Sequence, residues 1–147
     1  MDYYDANEIK VDKFSKGVEQ VDQNFTLGAP SREAYSKYAG ELALAIVSSN
    51  LKVSITDIKR SNRGKTNICV ARQVVMYLLH TSMSCSYCEV AMFLSRDRTT
   101  VSHGCRLIED MRDDENFDKV ITNMENFALA AMNLASSYSS VGQPDVR

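Results

Sequence analysis

From Pro30 onward, apolar residues recur at the three- and four-residue steps of helices, broken by short polar punctuation. Pro30-Ser31 opens the first helix, with Ser31 as N-cap. Its apolar stripe is Tyr35, Tyr38, Leu42, Ala45 and Ile46, and it fades by Ser49-Asn50. Ser54-Ile55-Thr56-Asp57 has the spacing of a capping box with Asp in place of the usual Glu, so a short helix to Lys59 is expected. From Asn67 to about Ser82, Ile68, Ala71, Val75, Leu78 and Leu79 mark a central helix, and a stripe that broad means burial. Arg72 falls on the side opposite Val75, and His80 is expected as a partly exposed helix-terminal side chain.

Ser86-x-x-Glu89 supplies a second capping box, and the helix it opens ends at Leu94 with Val90 and Ala91 on its apolar face. Ser95-Arg96 then makes a tight turn. Asp97 is expected to cap a helix over Arg98–Arg112 by accepting a backbone N–H from Thr99 or Thr100. Val101, Cys105 and Ile108 recur at i, i+4 and i+7 and face inward, which leaves Arg98, Thr99, Ser102 and Arg106 outside. The last helix, Glu115–Ala135, carries Phe117, Val120, Ile121, Met124, Phe127, Ala128 and Ala131. Phe127 to Met132 is read as core in preference to a partner surface.

These elements predict an all-α fold, a small helical bundle containing a helix-turn-helix. The domain is expected over residues 31–135. Residues 1–30 have little periodicity and predict a disordered arm, with at most a weak helix over 8–21; residues 136–147 predict a disordered polar tail. A polar, cationic first turn on the helix at Arg98 suits a recognition helix, which presents its N-terminal residues to base edges.

Charge sharpens this picture. The formal net charge of −2 hides an uneven distribution. Lys52 to Arg112 holds ten Lys or Arg against five Asp or Glu, a net of +5, while the remainder holds seven against fourteen, a net of −7. A basic centre between acidic flanks fits a nucleic-acid surface on one segment. There is no run of eighteen apolar residues and no signal-peptide pattern, so a cytoplasmic, nucleoid-associated protein without membrane contact is expected.

Other chemistries find less support. Gly64-Lys65-Thr66 imitates the end of a phosphate-binding P-loop, but Lys59 stands where that motif needs its first glycine and no strand precedes it. No nucleotide is expected there; Lys59, Arg60, Arg63, Lys65 and Arg72 are instead assigned to DNA phosphates. Cys85, Cys88, His103 and Cys105 offer four possible zinc ligands, but His-x-Cys is not a usual finger spacing and Cys105 shares the inward face of Val101. Cys85-x-x-Cys88 lacks the strand–helix context of a redox dithiol. No paired carboxylates and no supported Cys–His pair stand out, so neither an enzyme nor a metal or cofactor is expected.

The run Arg96-Asp97-Arg98-Thr99-Thr100-Val101-Ser102-His103-Gly104 resembles the signature of the C-terminal DNA-binding domain of the bacterial chromosomal replication initiator, DnaA, which reads R-D-H-T-T-V-x-H-A. Upstream, Asp57-Ile58, Arg63, Ala71-Arg72-Gln73 and Met76 to Leu79 resemble that domain's basic loop and central helix, so the likeness covers roughly Lys52 to Met124. The resemblance implies double-stranded DNA as partner, with Asp97 and Thr99 on bases and Thr100 on phosphate. Ser102 joins the base-reading face, and Arg96, His103 and Arg106 flank it as phosphate contacts. Arg98 replaces the signature His. Arginine pairs bidentately with guanine, and the adjoining Asp97 carboxylate is expected to orient it. Val70 stands where the family commonly has a minor-groove arginine, and Leu94-Ser95-Arg96 makes the turn one residue shorter than F-G-G-R. These departures point to a site unlike the initiator's boxes. In a chain of 147 residues without a P-loop, the initiator's ATPase is expected to be absent. The expectation is a stand-alone binder acting in transcription regulation or at origin sites, with a protein partner, if any, on the N-terminal arm or C-terminal helix. The alternative is a helical adaptor that has lost DNA binding.

Overall fold

The structure, a computed structural model, describes residues 30–141, and the expected N-terminal arm lies outside them except for Pro30. Six helices and no strand occur among the described residues: α1 (Arg32–Leu51), α2 (Ile55–Lys59), α3 (Thr66–Thr81), α4 (Tyr87–Leu94), α5 (Arg98–Met111) and α6 (Glu115–Val141). The all-α bundle expected from the spacing is therefore present. No described helix is long and apolar enough to cross a membrane.

The core is built around α3. Its Ala71, Val74, Val75, Met76, Leu78 and Leu79 are fully buried, and every other helix packs on it. Fully buried Val, Leu and Met side chains each stabilise the fold by about 1.5–3 kcal/mol. Leu44 from α1, Ile58 from α2, Val90 from α4, Ile108 from α5 and Ile121 from α6 complete the cluster.

Helix α1 begins as expected at Ser31, whose hydroxyl accepts the Ala34 N–H at 3.2 Å. Its buried face is Ala39, Gly40, Ala43, Leu44, Ile46 and Val47; of the expected stripe, Ile46 is buried and Tyr35 and Leu42 pack partly covered against the core. Tyr38 is 48 % exposed and Ala45 faces solvent. The small residues Ala39, Gly40 and Ala43 account for part of the shift. An added Cβ on Gly40 would overlap the Phe93 ring, so α4 lies close against this turn of α1. Bulkier side chains on that face would hold the two helices apart.

Helix α6 packs through Ile121, Met124 and Ala128, with Phe117 and Met132 partly covered. Val120 and Phe127, expected in its stripe, are 39 % and 62 % exposed. The helix also runs to Val141, past the expected boundary at Ala135. Ser136 and Ser137 lie within it and donate hydroxyl bonds back to Met132 O and Asn133 O, 3.0 and 2.9 Å. Arg112 fixes α6 to the bundle. Its guanidinium donates to Asp118 at 2.6 Å, to Glu125 and Tyr77 at 2.9 Å, and to Thr122 at 3.1 Å.

Candidate nucleic-acid interface

The site starts from the capping box of α4. Ser86 Oγ accepts the Glu89 N–H at 3.2 Å, and Glu89 Oε2 accepts the Ser86 N–H at 2.7 Å. Glu89 also takes two bonds from the Arg32 guanidinium, 2.5 and 2.8 Å, and one from Ser36 at 3.0 Å. The Arg32 bonds first, and then the Ser86 N–H, hold its carboxyl well below the usual carboxylate range. Helix α4 is thus tied at its start to α1, which fixes the direction in which the chain leaves it.

It leaves through a tight turn. Ser95 adopts a left-handed conformation at φ 52°, and Arg96 N–H closes the helix on Ala91 O at 2.9 Å. Helix α5 then lies on α3, with Val101, Cys105 and Ile108 buried as expected. Gly104 makes the approach close, since a Cβ there would stand 2.9 Å from Met76 Sδ. Asp97, Arg98, Thr99, Thr100, His103 and Arg106 are exposed along the opposite side, and Ser102 is half-buried at its margin.

Asp97 occupies the N-cap position, but its side chain makes no capping bond. Nor does it make an ion pair with Arg98 or any other described residue. The carboxylate expected to cap the helix and to orient Arg98 does neither. Arg98 instead lies over the Tyr87 ring, 5.9 Å from its centre. Sequence spacing assigns Tyr87 no role; its position as the first residue of α4 is the available signal.

Arg72 and Arg96 differ from the other cations. Arg72 is buried, 7 % exposed, and donates to Ile58 O at 2.7 Å, Arg60 O at 3.0 Å and Asp57 O at 3.1 Å. Burial, and then the charge of Arg96, push its guanidinium below the usual arginine range. Arg96 donates to Ser61 O at 2.7 Å and to Arg60 O. Both were expected on phosphates. Both donate to carbonyls where α2 ends and the loop begins, which is where backbone acceptors need donors. Arg96 thereby ties residues 60 and 61 to the turn that precedes α5, and Arg72 ties residue 60 to α3.

On that loop Arg63 and Lys65 are exposed and make no ion pair with a described residue, while Arg60 pairs with Asp57 at 3.5 Å. Lys59 is 3.8 Å from Glu41 and lies over the Phe93 ring at 5.4 Å. Arg60, Arg63 and Lys65 are thus exposed on the loop, and Arg98, His103 and Arg106 are exposed on α5.

The cysteines do not converge. Cys85 and Cys105 are buried, Cys88 is exposed, and no group of three or more His, Cys, Asp or Glu with metal-holding geometry occurs among the described residues. Burial pushes the Cys105 thiol up to about 11. That disfavours the thiolate a metal would need.

Residues 41–108 match the family model of the bacterial DnaA protein helix-turn-helix. The chain is 34% identical over 83 residues to the chromosomal replication initiator protein DnaA of Lachnoclostridium phytofermentans, covering 55% of this chain and 18% of that protein. It is 34% identical over 88 residues to DnaA of Treponema denticola (58% and 19%), and 36% identical over 81 residues to DnaA 2 of Chlamydia trachomatis (55% and 17%). The chain thus spans less than a fifth of the length of these relatives. A crystal structure of a DNA replication initiation factor superposes with a TM-score of 0.61 at 25% identity, over 85% of this chain and 36% of that one.

Proposed function

We propose, from the match of residues 41–108 to the family model of the bacterial DnaA helix-turn-helix, that this chain binds double-stranded DNA sequence-specifically through α5. The observation that carries the reading is the grip of Arg96 on Arg60 O and Ser61 O. That grip ties residues 60 and 61 to the turn before α5, which supports reading the basic loop and the start of α5 as one cationic surface. Such a surface has two tasks: cations engage phosphates and set the register, and side chains at the helix start read base edges. We assign Asp97, Arg98, Thr99 and Ser102 to bases. Lys59, Arg60, Arg63, Lys65, Thr100, His103 and Arg106 are assigned to phosphates, and Arg72 and Arg96 to the shape of the loop. Occupying a site in this way regulates transcription or controls access to origin sequences, and it needs no nucleotide hydrolysis.

The second reading, a helical protein adaptor, draws on α6. Phe127 and Leu134 are 62 % and 61 % exposed, and both lie beyond the family match. Duplex binding measured across salt separates the two. The DNA reading expects affinity to fall steeply as salt rises, because each neutralised phosphate releases about 0.9 of a counterion. Failure to bind any duplex at low salt, with the helical fold intact, would leave the adaptor.

A further inference from the structure

Three side chains from three helices meet at the start of α5. His80 comes from the last turn of α3, Tyr87 opens α4 and Arg98 opens α5. His80 Nδ1 is 2.9 Å from Cys85 O. A carbonyl oxygen only accepts, so Nδ1 carries the proton and donates it. That bond fixes the imidazole, and the Tyr87 ring stacks on it with centroids 4.0 Å apart and 25° between planes. Both rings are half-buried, and Arg98, over the Tyr87 ring, is exposed.

We propose that His80 and Tyr87 form a platform that holds the Arg98 guanidinium extended at the tip of α5, which makes Tyr87 a positioning residue for sequence selectivity. The inference rests on the DNA-binding reading above. The physical reason is that a guanidinium is attracted to the negative face of an aromatic ring. An arginine already laid on a ring also gives up less rotamer freedom when it docks on guanine than one swinging in solvent. The neighbouring carboxylate of Asp97 does not supply this restraint, and no ion pair with a described residue holds Arg98. The ring is the contact that does. Because His80 is itself tied to the loop carbonyl of Cys85, the platform is braced by the frame of the helix-turn-helix.

The test is a double-mutant cycle on the full chain. Affinity is measured for the duplex that wild type selects from a random pool and for its single-base variants, using wild type, Tyr87→Phe, Tyr87→Leu, Arg98→Ala and the Tyr87→Leu/Arg98→Ala pair. Tyr87→Phe keeps the aromatic face and should match wild type. Tyr87→Leu keeps bulk without the face and should lose about two- to fivefold on the best duplex. It should also relax discrimination at the one base pair that Arg98→Ala relaxes. In the Arg98→Ala background the same Tyr87 change should cost nothing further. Thermal melting of each variant confirms that it is folded. A Tyr87→Leu loss that persists without Arg98, or unchanged discrimination in Tyr87→Leu, overturns the platform while leaving the DNA reading standing. No duplex binding by wild type overturns both.

Discussion

Replacing Arg72 by Met should unfasten the basic loop without removing a phosphate contact. The side chain is 7 % exposed and its guanidinium donates to three carbonyls, those of Asp57, Ile58 and Arg60. A hydrogen bond from a charged donor contributes about 1.5–3 kcal/mol, and an acceptor left buried without a partner loses its solvation as well. Against this, methionine refills most of the volume and ends the cost of burying a cation. The balance is a loss of about 2–4 kcal/mol, large among single substitutions. Urea denaturation reads it as a lower midpoint at unchanged slope. Arg63→Met is the control. That side chain is exposed and unpaired among the described residues, so its stability should stay within about 0.5 kcal/mol of wild type. Its salt slope for duplex binding should fall by about one unit. Near wild-type stability for Arg72→Met, together with a salt slope lowered by one unit, would refute the reasoning and return Arg72 to the phosphates.

Gly40→Ala should destabilise the bundle by about 1–3 kcal/mol despite the better helix propensity of alanine, because the new methyl overlaps the Phe93 ring; thermal melting measures it, and a rise in Tm would contradict the packing. Glu89 gives a pH dependence of definite sign. Its folded carboxyl titrates well below the ordinary value, so its stabilisation is complete above the unfolded value near 4.3 and is lost as pH falls towards the folded one. The stability gap between wild type and Glu89→Gln should therefore be constant down to about pH 5 and narrow below about pH 4. A gap that holds constant into strong acid would show that the carboxylate is not what ties α4 to α1.

Much of the scaffold was legible because it is written in local chemistry. Ser86 and Glu89 announce a capping box that forms in full, and Val101, Cys105 and Ile108 announce the buried face of α5. Helix α1 was harder. Apolar residues occur on several of its sides, and the side that is buried is chosen by tertiary contact with Phe93, where Gly40, Ala39 and Ala43 fit because they are small. Small residues carry little hydrophobic signal, so periodicity points at larger neighbours such as Tyr38. In the candidate site the residue types are plain in the sequence, but the partners of each are not. A guanidinium suits a carbonyl cluster as well as a phosphate, and nothing in spacing tells that Arg72 and Arg96 face inward to α2 while Arg63 and Lys65 face out. The Tyr87–Arg98 contact joins residues on two different helices, and local pattern is silent on such pairs.

Selection of sites from a random duplex pool by wild type and Arg98→Ala tests the central claim most directly. Wild type should enrich one defined sequence, and Arg98→Ala should enrich the same sequence with selectivity relaxed at a single base pair. The loss on the best site should be about 1–3 kcal/mol. A pool that wild type leaves unenriched at low salt, or identical enrichment by the two proteins, would contradict base reading from the tip of α5.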